Sequence, residues 1–147
     1  MLQFYRSFPD ATSNIILKMS SDGTFAIVAG VPNKAGAKDG PAGNARFNAP
    51  QGLALDHEGN IYVADSGNHT IRRVAPDGNV STLAGMHGKR GTRDGHAASA
   101  RLDSPASIAI DSAGTLYVTN GTDNLIRKIS VASEVSTVDA RPFIDAR

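Results

Sequence analysis

The chain has 147 residues, 40% of them hydrophobic and 20% charged, with a formal net charge of +1. This is the composition of one globular domain rather than a disordered segment, and the totals make no case for a nucleic-acid or membrane surface. With no cysteine, a disulfide framework, a thiolate metal site and a cysteine nucleophile are excluded; with no tryptophan and 5% aromatics, the core must rest on Val, Ile, Leu and Ala.

The opening stretch, MLQFYRSFPDATSN, lacks the basic start and apolar run of a secretory leader, and no later apolar run is long enough to cross a bilayer. The compartment is left open. From residue 51 the chain reads as short strands. Leu53 and Leu55 alternate with Ala54, Ile61 and Val63 flank Tyr62, Thr70 to Val74 follow, and Val80 to Leu83 come last. The runs are rich in β-branched types and bounded by turn signals. Those signals are DHEGN (56–60), DSGNH (65–69) and PDGN (76–79). Their Asp and Gly residues supply Asx turns and positive φ. No helical period appears. The spacing predicts a four-stranded antiparallel meander, with a bulge or strong twist in the third strand because Ile71 and Val74 break strict alternation.

The unit returns. Residues 51–85 recur as 106–140 at a shift of 55, so that Asp56, Gly59, Tyr62 and Arg72 map to Asp111, Gly114, Tyr117 and Arg127. The same shift runs backwards, from Asp65 to Asp10 and from Gly85 to Gly30. The connecting segment repeats as well: Lys34, Asp39, Gly40, Ala45 and Arg46 recur as Lys89, Asp94, Gly95, Ala100 and Arg101. Short strands at a fixed period are the mark of β-propeller blades. The chain therefore divides into a partial blade (strands 2–4) over 1–30, a linker plus full blade over 31–85, another over 86–140, and a tail over 141–147. The fold class is all-β, a propeller of about 2.7 four-stranded blades.

ARFNAPQGLALDHEGNIYVADSGNHTIRRVAPDGNVSTLAG (45–85) resembles an NHL repeat, with Asn68-His69 at the position that names the family. The equivalent pairs, Ser13-Asn14 and Asp123-Asn124, depart from it. The resemblance implies a ring of about six blades serving as a protein- or RNA-binding platform, a sensor domain or an enzyme scaffold. An arc of fewer blades would expose strand edges and apolar flanks, so closure is expected from further blades or from self-association.

In such a ring the inter-blade linkers share a face with the turns between second and third strands. That face would carry the cations Lys34, Lys38 and Arg46 against Asp39, and Lys89, Arg90, Arg93 and Arg101 against Asp94. The opposite face carries Asp22, Asp56, Glu58, Asp77, Asp111 and Glu134. A basic face attracts phosphates or acidic protein segments, and the expected partner is a protein or a small ligand. Lys34, Lys38, His69, Lys89, Arg90 and Arg93 are therefore the candidate binding residues. A nucleic-acid face is the second reading, weakened because Phe47 is the one aromatic in the linkers. A lyase- or lactonase-like enzyme scaffold is the third. No catalytic residue, metal, cofactor or membrane contact is assigned; the DxxG carboxylates Asp56 and Asp111 read as turn formers, and His69, His87 and His96 lack metal-ligand spacing. Asp39-Gly40 and Asp94-Gly95 are expected to turn the linkers back, and Arg46 and Arg101 to bond carbonyls of the adjacent blade.

Overall fold

The computed structural model describes residues 6–121 and 124–138. Residues 1–5 of the first blade and the 141–147 tail lie outside them. Three antiparallel sheets follow one another along the chain. The first joins β1 (Arg6–Asp10), β2 (Ile15–Met19) and β3 (Phe25–Ala29) in sequence order. The second joins β4 (Pro50–Leu55), β5 (Ile61–Asp65), β6 (Thr70–Val74) and β7 (Val80–Gly85) in the same way. The third runs from β9 (Pro105–Ile110) through β10 (Leu116–Asn120) and β11 (Ile126–Ile129) to β12 (Glu134–Val138), and β8 (Gly95–His96) is added beyond β12. These are propeller blades, the first with three strands among the described residues. The expected irregularity is present: the β6–β7 register shifts between Ile71 and Arg72, and the β2–β3 register shifts at the equivalent step.

Blade two buries one face against blade one and the other against blade three, as a strand with period-2 side chains must if both faces are to be dry. In β5, Ile61 and Val63 pack with Ile16 and Ala29 of the first blade, whereas Ala64 packs with Leu116, Val118 and Ile129 of the third. The linkers belong to these cores. Phe47 and Ala45 of one linker, and Leu102 and Ala100 of the next, are fully buried in them.

The linkers are therefore packed straps rather than solvated loops. Gly95 and His96 pair with Val135 and Glu134 of the outermost strand in their own blade, and Gly40 bridges Val80 in the same manner. The two Asp-Gly pairs consequently do not work simply as turns. Gly40 and Gly95, both at φ 126, place the following peptide on the outer strand edge, while Asp39 and Asp94 serve as anchors. Linker and outer strand together cover an edge that would otherwise offer unpaired backbone groups.

Candidate functional site

The anchors bind two arginines that the sequence pattern presents only as repeat positions. Arg72 on β6 and Arg127 on β11 are 1% and 0% exposed. All five Arg72 N–H groups are used. Nε and Nη2 donate to Asp39 Oδ1 (3.2 and 2.7 Å), Nη1 to Asp65 Oδ2 (2.9 Å), and the remaining two to the carbonyls of Arg46 and Lys38. The guanidinium also lies 4.9 Å from the Phe47 ring centre, a cation–π distance. Arg127 repeats the bonds to Arg101 O, Arg93 O and Asp94 Oδ1. Where blade two has Asp65, blade three has Asn120. Burial pushes the Asp65 carboxyl above the ordinary carboxylate range, against the pull of the Asn48 N–H, Asn68 and Arg72.

These bonds fix the backbone that carries the candidate cations. Lys38 O accepts from Arg72 Nη2 and from Arg46 N–H, and Arg93 O accepts from Arg127 Nη2 and Arg101 N–H. The side chains of Lys38 and Arg93 are exposed, as are Lys34 and Lys89, whose N–H groups close tight turns onto Val31 O and Met86 O. Arg90 is 64% exposed and donates to Asp103 Oδ2 at 3.0 Å. The structure thus sets exposed cations on straps held from beneath. Arg46 and Arg101 do bond carbonyls, but those of their own linker, Asn44 and Ala45 or Ser99 and Ala100, and not of the neighbouring blade. The side chain is too close to its own turn to reach across.

Asn68-His69 staples the two linkers that flank blade two. Asn68 Nδ2 donates to Gly36 O of the first linker and to Asp65. His69, at φ 57, accepts on Nδ1 from Ser104 N–H of the second linker at 3.0 Å. Asn14 accepts from Ala49 N–H in the same position of the repeat, also at positive φ. Sequence reading placed His69 among the contact residues; the structure engages its Nδ1 in holding a linker. The signal was available in the shift of 55, which aligns His69 with Asn14 and Asn124, all side chains that can accept a hydrogen bond. Asp123, in the third copy of this pair, lies outside the described residues.

Asp22, Asp56, Asp77 and Asp111, assigned to the opposite face, form Asx turns. Asp56 Oδ1 accepts from the N–H groups of Glu58 and Asn60, and Oδ2 from Asn60 Nδ2 and Tyr62 OH. Desolvation raises the Asp56 carboxyl, but these bonds outweigh it and hold it below the ordinary range. A cleft of about 510 Å³ opens there between blades two and three, lined by Leu55, Tyr62, Ile110 and Val131 with Asp56, Glu58 and Asp111.

Residues 47–74 match the family described as NHL repeat. The Arabidopsis thaliana protein SUPPRESSOR OF QUENCHING 1, chloroplastic, is 32% identical over 93% of this chain, which spans 14% of that protein. A structural-genomics protein of unknown function from Bacteroides thetaiotaomicron superposes with a TM-score of 0.79 at 29% identity, over 86% of this chain and 32% of its own. An auxiliary nutrient binding protein from the same species superposes with a TM-score of 0.76 at 24% identity, over 92% of this chain and 35% of its own, a likeness of fold alone.

Proposed function

We propose, from the place of this chain among the NHL-repeat β-propellers, that it is a binding platform whose contact face is made by the inter-blade linkers. The fold supports a binding or scaffold role in general. One observation carries the finer reading: the buried guanidinium groups of Arg72 and Arg127 hold the carbonyls of Lys38 and Arg93 while those residues keep their side chains in solvent. A cation on a fixed backbone loses less freedom on binding than one on a floppy loop, so more of its attraction appears as affinity. Lys34 and Lys89 extend the same face. The partner is an acidic protein segment or a small acidic ligand, and the role is binding rather than catalysis.

A phosphate-binding variant of this reading uses the same residues. It is the weaker one because Phe47, the linker aromatic, is fully buried and cannot stack on a base. The test is fluorescence anisotropy with a labelled oligo-glutamate peptide and a labelled single-stranded RNA. The natural chain is compared with the quadruple variant Lys34→Glu, Lys38→Glu, Lys89→Glu, Arg93→Glu. Peptide binding that weakens by an order of magnitude or more in the variant supports the platform. Equal binding by both chains overturns it. RNA binding that collapses in moderate salt, with no peptide binding, transfers the face to phosphate recognition.

A further inference from the structure

We infer that the cleft between blades two and three binds a small organic cation with an apolar body, of the arylalkylammonium kind. In an antiparallel meander the first and third turns share one end of the blade, and the second turn lies at the other. The cleft is walled by the first turns of both blades and by Val131 in a third turn, so it opens at the end away from the His69 turn. None of Lys34, Lys38, Lys89 and Arg93 lines it. The inference is independent of the linker face.

The walls call for an apolar body. Leu55 is 47% and Val131 74% exposed, and both line the cleft with Tyr62 and Ile110. The two flanking blades each have their four strands, so this exposure does not come from an open end of the arc. Tyr62, Gly114 and Val131 also line a smaller cavity of about 160 Å³, and the cleft thus continues past Val131 between the blades. Its own volume of about 510 Å³ falls in the range of about 300–1,000 Å³ found for small-molecule sites.

The rim sets the ligand's charge. Asp56, Glu58 and Asp111 lie on it, and among the described residues the ion pairs of Arg and His go elsewhere, to Asp39, Asp65, Asp94 and Asp103. Arg73, opposite Tyr62 in the β5–β6 register, makes none of these pairs and is one cation against three carboxylates. Ser112 and His57 also stand on the exposed rim, and neither is an anion. The three carboxylates differ in what they have left to give. Asp56 already accepts four hydrogen bonds. Asp111 accepts on Oδ1 alone, from the Ala113 and Thr115 N–H groups, because Thr115 stands where blade two has Asn60. Its Oδ2 is left for an ammonium N–H, with the exposed Glu58 carboxylate as the second charge. Among the described residues no three acidic or histidine side chains converge closely enough to hold a metal ion. Charge spread round an apolar cleft suits an organic cation, whereas a divalent metal needs its oxygens gathered.

The experiment titrates the chain with 2-phenylethylamine and, separately, with phenylacetate, which has a similar body and the opposite charge. Backbone amide shifts are followed by NMR at about pH 8, above the range in which imidazoles normally charge, so that His57 does not compete. The amine is expected to give saturable shifts at Leu55, Glu58, Asp111 and Val131, and phenylacetate none there. Asp111→Asn with Glu58→Gln keeps an acceptor for the Asx turn and removes two charges, and should weaken amine binding about three- to tenfold. Val131→Ser, at an exposed position, should weaken it about threefold by removing an apolar wall. Phenylacetate binding as tightly as the amine, or amine binding unchanged in the double variant, overturns the inference. So do shifts that never saturate, or that are as large at Phe25 and Ile27, exposed apolar residues of blade one, as in the cleft.

Discussion

Arg72 and Asp39 meet at 2.7 Å across 33 residues of chain, and Arg127 and Asp94 meet at the same distance across the same separation. In each pair the arginine is buried and the aspartate is about half exposed. The pair is where a linker is fastened to the blade that follows it.

Loss of the arginine should therefore be severe, and unequally so in the two blades. Arg72→Leu copies the residue at the first blade's equivalent position, Leu17, but leaves Asp65, 0% exposed, without its cation. Removing one partner of a buried pair costs about 3–5 kcal/mol. Arg127→Leu leaves Asn120 in that place and no buried carboxylate, so it should cost less by at least about 1 kcal/mol. Urea denaturation of both variants checks the order; equal losses would mean that Asp65 is not what makes blade two sensitive.

The aspartate is the gentler handle on the linker. Asp39→Ala removes the acceptor for Arg72 and for the Thr82 N–H and hydroxyl, but Asp39 is 46% exposed and water can replace part of what is lost. A global cost of about 1–2 kcal/mol is expected. The larger effect should be local. Hydrogen exchange at Gly40 and Val80, which bond each other across the bridge, should quicken well before exchange in β5.

The strands, their order and the bulge were legible in the sequence because period-2 patterning and Asx-Gly turns are local signals, and the exact shift of the repeat multiplied them. The arginine network was not. Arg72 sits beside Arg73 in a strand whose pattern gives no reason to bury either, and only the approach of a linker 33 residues away makes burial possible. Asp39, expected only to turn the linker back, anchors it to an arginine 33 residues away, whereas Arg46, expected to reach the adjacent blade, bonds carbonyls of its own linker. The exposed cations Lys34, Lys38, Lys89 and Arg93 were legible as charges, but not as charges on a fastened backbone.

Glycine at position 85 closes the outer strand at φ 82, and a Cβ there would lie 2.5 Å from His69 O. Gly23 has a similar φ of 87 with open space around it. Gly23→Ala should cost roughly 1–2 kcal/mol for the left-handed backbone alone. Gly85→Ala should cost more, because His69 must shift and with it the Nδ1 bond to Ser104. If the two variants melt together, the strand end is softer than its geometry implies.

Stability should fall in acid with a slope that one exposed turn helps to set. Asp22 is held down to about 2 by the Ser20 hydroxyl and the Thr24 hydroxyl and N–H, from an ordinary value of 3.8. A carboxyl depressed in the folded state contributes stability that is present above its unfolded value and lost as pH falls through its folded one. The loss from Asp22 therefore lies between about pH 4 and pH 2. Asp65 works the other way: its folded value is raised, so its contribution is greatest in acid and fades as pH climbs past the unfolded value. Asp22→Asn should flatten the fall of the urea midpoint between about pH 4 and pH 2, while Asp65→Asn should act above about pH 4, removing a loss of stability that the natural chain suffers as pH rises. An unchanged pH dependence above about pH 4 in Asp65→Asn would show that Asp65 is ionised as readily in its buried place as in the unfolded chain.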